Sequence, residues 1–175
     1  MRILVAGVGN VFFGDDGFGV EVVRLLDEEG PPEGAVVADF GIRGVHLAYE
    51  LLAGYGSLIL VDAVPRGESP GTLSVIEPGI ERGTPDQAPL LMGALGDSHS
   101  MTPDAVFALF GPLGVSTERV LLVGCEPADT SPGMGLSQPV ADAVPVAAGL
   151  VRELVAEQVA AIGAAAVEST ERGRS

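Results

Sequence analysis

Three side chains stand out for the chemistry they can do together: Asp16 and Asp62, each placed where an apolar strand ends, and His99 in a later loop. Asp62 follows the run Leu58-Ile59-Leu60-Val61, which reads as a strand buried on both faces, so its carboxylate leaves the sheet with little water around it. Burying an unpaired charge costs roughly several kcal/mol, and the remedies are a cation, a hydrogen-bonded counter-charge or protonation. A metal ion is the remedy expected here. Two carboxylates and one imidazole leave coordination positions open on a borderline metal such as nickel or zinc, whereas thiolate-selecting ions find no ligand set. A metal so held lowers the pKa of water toward ~7 and polarises a peptide carbonyl, which brings hydrolysis within reach. Asp16, Asp62 and His99 are therefore the candidate catalytic and metal-binding set.

Each member has a plainer reading. Asp15 and Asp16 precede a helix, where a carboxylate caps exposed amides and interacts with the helix dipole. One carboxylate suffices for that, and the other is left free between Gly14 and Gly17, whose backbones allow close approach of a ligand. His99 sits in Gly96-Asp97-Ser98-His99-Ser100, where an imidazole serves as ligand, base or solvated side chain. Its rival, His46, shares helical spacing with Val45 and Tyr49 and reads as a packing or hydrogen-bonding histidine.

Other chemistries are excluded by what the sequence lacks. All nine bases are arginine, so no Schiff-base lysine, serine-lysine dyad or P-loop lysine is possible. Gly7-Val8-Gly9-Asn10 begins like a dinucleotide fingerprint, but Phe12 occupies the position of its third glycine. No G-x-S-x-G elbow is present. Cys125 is the one cysteine, which removes intramolecular disulfides, zinc ribbons and cysteine-ligated iron-sulfur clusters, and it reads as a small apolar core residue. The net charge of −15 argues against nucleic acid and anionic membranes as partners and favours a protein or peptide with basic patches. The start of the chain runs straight into a strand, and charged residues interrupt the longest apolar stretch, so a cytoplasmic protein is expected.

The elements that must position these residues alternate. Strands are expected at residues 2–7, 35–39, 57–62, 71–76 and 118–124, and helices at 17–29, 43–53, 103–110 and from about Ser137 to Ile162. Thr102 and Pro103 mark a helix start. Pro145 should kink the last helix or mark its true first turn. Val45, Tyr49 and Leu52 are spaced for one face of the second helix. Strand 71–76 follows its predecessor too soon for a helical crossover and should run antiparallel. The pattern predicts an α/β fold, a three-layer α/β/α sandwich around a mostly parallel five-stranded sheet. One domain over residues 1–163 is expected, with a flexible tail at 164–175 and a poorly ordered stretch from Pro78 to Ser98. Asp16, Asp39, Asp62 and Glu126 then all fall at the carboxyl edge of the sheet, where open α/β sheets bind ligands.

Six segments, GVGNVFFGDDGFGVEVVRLL (7–26), DFGIRG (39–44), LILVDAV (58–64), PGTLSVIE (70–77), DSHSM (97–101) and LLVGCEP (121–127), together resemble the hydrogenase maturation proteases, in the right order over about residues 2–160. The resemblance implies an α/β/α sheet with one antiparallel strand. It also implies an endopeptidase that removes a carboxyl-terminal extension from the precursor of a nickel-iron hydrogenase large subunit once nickel is in place. The family's metal-contacting residues match Asp16, Asp62 and His99, and the metal they meet is implied to be the nickel held by the substrate. A substrate loop is implied at Asp39 and Gly41, where Phe40 departs from the family's Asp-Gly-Gly-like pattern. Two other readings compete: a module or chaperone that inspects a metal centre in hydrogenase assembly without cutting, and a nucleotide-dependent enzyme of similar topology.

Overall fold

The computed structural model describes residues 2–79 and 102–172, with side chains through residue 161. The stretch expected to lack order lies outside the described residues from position 80 onward.

Three apolar strands make the centre of the sheet: β1 (Arg2–Val8), β3 (Tyr55–Ala63) and β5 (Arg119–Cys125). Each is buried on both faces, as strands covered by helices on two sides must be. β2 (Ala35–Gly41) and β4 (Leu73–Ile76) are the edges, in the order β2-β1-β3-β5-β4. β1, β2, β3 and β5 run parallel, and β4 runs antiparallel to β5 with Leu73 opposite Cys125 and Ile76 opposite Leu122. The expected mixed five-stranded α/β sheet is thus present, its one reversed strand included.

Strand alternation divides the core in two. Ile3, Val5, Ile59, Val61, Leu121 and Val123 point to one face, where they meet Phe18, Val22 and Leu26 of α1 (Phe18–Glu28) and Val140, Ala147, Val151 and Val155 of α5 (Gln138–Arg172). Leu4, Leu58, Leu60, Val120 and Leu122 point to the other, against Leu47 and Leu51 of α2 (Gly44–Leu51), Val106 and Phe107 of α3 (Pro103–Ala108) and Phe110 of α4 (Phe110–Leu113). Each such aliphatic side chain contributes about 1.5–3 kcal/mol by leaving water. α1 is seated unusually close to the sheet at Gly19, where a Cβ would strike the carbonyl oxygens of Val8 and Val61.

Several local expectations need correction. α2 buries Leu47, Ala48 and Leu51, while Tyr49 is 48% and Leu52 is 47% exposed. The true stripe is one residue out of phase with the one built on Val45, because Leu47 and Leu51 supply more aliphatic volume to the sheet face. Pro145 lies inside α5 and not at its start, and the helix passes residue 162 to reach Arg172. Ala164-Ala165-Ala166, the strongest helix formers, carry it past Gly163. Thr102 does cap α3, accepting the amide of Ala105 at 3.3 Å. Among the described residues, no helix is long and apolar enough to cross a membrane.

Candidate active site

The chain leaves β1 and turns through α1 to β2 on one side, then crosses α2 on the opposite face to reach β3 on the other side. Connections therefore part in opposite directions between β1 and β3. At such a switch point the carboxyl ends of the strands open into a crevice. Asp16 follows β1 and Asp62 is the penultimate residue of β3, so both flank that opening.

The turn after β1 is built to hold Asp16. Asn10 accepts the amide of Phe12 through Oδ1, and Phe13 donates its amide to the carbonyl of Asn10, which curls the chain into a 3-10 turn at Gly14–Gly17. Asp16 closes the curl by accepting the amide of Asn10 through Oδ2 at 2.6 Å. Gly9 underlies it with φ of 124°, and a Cβ there would collide with the carbonyl of Asp16. Left-handed backbone and close approach both require glycine at this position.

Asp15 and Asp16 divide their work differently from the expected capping. No side chain caps the 3-10 turn or α1. Asp15 is fully buried and instead accepts the amides of Ala128, Asp129 and Ser137 at 2.8, 3.0 and 2.6 Å and the Ser137 hydroxyl at 2.9 Å. Burial pushes its carboxyl up, but those donors more than offset it and the pKa is lowered. Asp16 takes no part in that junction and is the member whose charge acts on Asp62.

Asp62 is 4% exposed and accepts the amide of Ala63 at 2.8 Å. Burial, and next the charge of Asp16, hold its carboxyl well above the usual range, with the Ala63 amide opposing them. Carboxyls raised by burial together with a neighbouring carboxylate cluster at functional sites. Among the described residues no ion pair reaches either acid, and a pair of hard carboxylate oxygens suits a divalent cation. Among the described residues no group of three or more His, Cys, Asp or Glu side chains is arranged to hold a metal. His99, the expected third ligand, lies outside the described residues.

Asp39 lies near the end of β2, exposed, with its Oδ1 close to Gly41, and its carbonyl accepts from Arg43 at 2.9 Å. The carbonyl of Gly41 accepts the amide of Gly9 at 3.0 Å, which ties this loop to the Asp16 turn. Glu126 is buried and accepts the amides of Arg66 and Gly67 at 2.6 and 3.2 Å, so it orders the loop after β3. Those amides lower its pKa. His46 is exposed on α2 and packs into no core. Cys125 is buried in the core, where burial pushes its thiol up to about 11, with the Asp15 and Glu126 charges adding to the effect; a thiolate nucleophile is not formed there. The roles of Asp15 and Glu126 as fasteners went unread because their partners are backbone amides up to 122 residues away, which leave no mark in sequence.

The description "hydrogenase maturation protease" belongs to the family model that matches residues 20–154. This chain belongs to the hydrogenase maturation protease family. Among curated relatives of the family, the hydrogenase expression/formation protein HupM of Azotobacter chroococcum mcd 1 is 35% identical over 160 residues, covering 90% of this chain and 73% of its own length. The crystal structure of the hydrogenase 2 maturation peptidase from Thaumarchaeota archaeon SCGC_AB-539-E09 superposes with a TM-score of 0.66 at 34% identity, over 89% of this chain and 99% of that one. The hydrogenase maturating endopeptidase HybD from E. coli gives 0.67 at 26% identity, over 90% and 94%. As a member of the family the chain is a peptidase.

Proposed function

We propose that the chain is an endopeptidase that removes a carboxyl-terminal extension from a nickel-iron hydrogenase large-subunit precursor, and that Asp16, Asp62 and His99 recognise the nickel the substrate carries. The observation that carries this reading is the Asp16–Asp62 pair at the switch point, with Asp62 buried beside a second acid. The names of the relatives, which speak of hydrogenase maturation and formation, support the substrate class.

Without substrate, protonation of Asp62 relieves the clash of two carboxylates. An arriving divalent cation supplies the counter-charge that lets both ionise, so a loaded precursor is bound where a nickel-free one meets a site that repels ligation. The imidazole of His99 adds a neutral donor suited to nickel. The same carboxylate pair then supplies a base for attack of water on the scissile carbonyl. Asp39 and Gly41, joined to the Asp16 turn through Gly9, form a wall along which the extension is laid.

The test is incubation of the purified protein with nickel-loaded and nickel-free large-subunit precursor, followed by intact mass measurement. Loss of one carboxyl-terminal peptide from the loaded form alone is expected. Equal cleavage of both forms would rule out recognition through nickel, and no cleavage of either would rule out the endopeptidase reading.

A further inference from the structure

The turn carrying Asp16 is held from outside by a loop more than a hundred residues later in sequence. Gly14 and Asp15 donate their amides to the carbonyls of Gly133 and Asp129, both at 2.9 Å, and Gly133 donates back to Phe12 at 2.8 Å. Phe13 and Gly133 pair as an isolated parallel bridge. The Asp15 carboxylate lies at the middle of this junction, fully buried, with four donors on its two oxygens. Such a carboxylate is an acceptor only, and every group facing it is a donor. By contrast the carboxylate of Asp16, the next residue, accepts one hydrogen bond among the described residues, from the Asn10 amide.

We propose that Asp15 is a positioning residue for the peptidase reaction: by gripping the 128–137 loop it fixes where the Asp16 carboxylate stands against Asp62. This rests on the reading of Asp16 and Asp62 as the working pair. Consecutive Cα atoms are ~3.8 Å apart, so a shift of the Asp15 anchor passes directly to its neighbour. Misplacing a catalytic group by about 1 Å costs on the order of 100-fold in rate. Asp15→Asn keeps the shape but turns an NH2 group toward donors, so at least one bond is lost and the turn must move. Ser137→Ala removes the hydroxyl donor and leaves three backbone amides in place.

The experiment measures kcat and KM for the nickel-loaded precursor with wild type, Asp15→Asn, Ser137→Ala and Ser137→Thr, each well below its own melting temperature and normalised to folded protein. A merely structural anchor lowers the folded fraction and leaves kcat per folded molecule alone. The expected result is a kcat loss of about 10- to 100-fold for Asp15→Asn with KM within about twofold. A smaller loss of roughly two- to fivefold is expected for Ser137→Ala, regained in Ser137→Thr. Folded Asp15→Asn with wild-type kcat, or a change confined to KM, overturns the inference. If Asp15→Asn does not fold, Ser137→Ala decides, and an unchanged kcat there overturns it. A wild-type protein that leaves the precursor intact overturns the endopeptidase reading, and this inference with it.

Discussion

The charge of Asp16 raises the pKa of the Asp62 carboxyl, adding to a larger push from burial. Native Asp62 therefore keeps its proton over a pH window in which the unfolded chain has already released it. In that window the native state binds more protons, and stability falls as pH rises from the ordinary carboxylate range to the native pKa of Asp62, then levels off. Asp62→Asn removes the term while its amide oxygen can still accept from Ala63. Melting temperatures of the metal-free variant, followed from mildly acidic to neutral pH, should decline less with pH than those of wild type and lie above them at neutrality. Parallel curves would mean that Asp62 is ionised without cost. Asp15, whose pKa is lowered, contributes with the opposite sign: its stabilisation is complete above the ordinary carboxylate range and is lost as pH falls from that range to the lowered native pKa.

Burial raises the Asp62 carboxyl more than the Asp16 charge does, which gives a second test. Asp16→Asn should therefore lower the Asp62 pKa without returning it to the ordinary carboxylate value, a difference visible in a carboxyl NMR titration. The same variant should lose peptidase activity by about 100-fold or more if Asp16 acts on the reacting groups. A titration of Asp62 that does not move would separate the two carboxyls and remove the basis for a shared cation.

Gly9 joins backbone geometry to the site. Its φ of 124° is a region L side chains rarely adopt, and an added Cβ would meet the Asp16 carbonyl. Gly9→Ala should cost roughly 1–3 kcal/mol of stability from the strained backbone alone. It should also displace the turn that presents Asp16, so activity per folded molecule falls too. Urea unfolding together with a peptidase assay checks both halves, and a variant with wild-type values in each would mean that the turn has room the structure does not show.

How far sequence reaches here depends on the range of the interaction. The strand of Leu58–Val61 and the acid after it are read from a local run, since only burial on both faces explains four consecutive aliphatics. The reversal of β4 is read from a linker too short for a helix. The joint placement of Asp16 and Asp62 follows from strand order, a consequence of alternating elements and right-handed crossovers. What stayed hidden is side chain to remote backbone. Asp15 looks like a helix cap because its neighbours in sequence are a helix start, and only the folded chain brings Ser137 to it. The buried stripe of α2 is hidden for a related reason: Val45, Tyr49 and Leu52 also share a helix face, and the sheet surface that selects Leu47, Ala48 and Leu51 instead is elsewhere in the chain.

The end of the sheet opposite the site offers a contrasting case. The Tyr55 hydroxyl accepts from Arg2 at 3.0 Å and donates to Glu50 at 2.7 Å, while the Arg2 guanidinium lies 4.5 Å from the centre of the Tyr55 ring. Burial and the Glu50 carboxylate raise the Tyr55 pKa, so the phenol remains a donor throughout the working range. Tyr55→Phe keeps the buried ring and removes only the bridging hydroxyl, which should cost about 1 kcal/mol of stability by urea unfolding. Because Tyr55 starts β3 and Asp62 lies near its other end, six residues of rigid strand separate the change from the site. The kcat per folded molecule should therefore stay at the wild-type value. A fall in kcat at unchanged stability would show that the strand transmits the loss along its length, and that the two ends of the sheet are not the independent units their contacts describe.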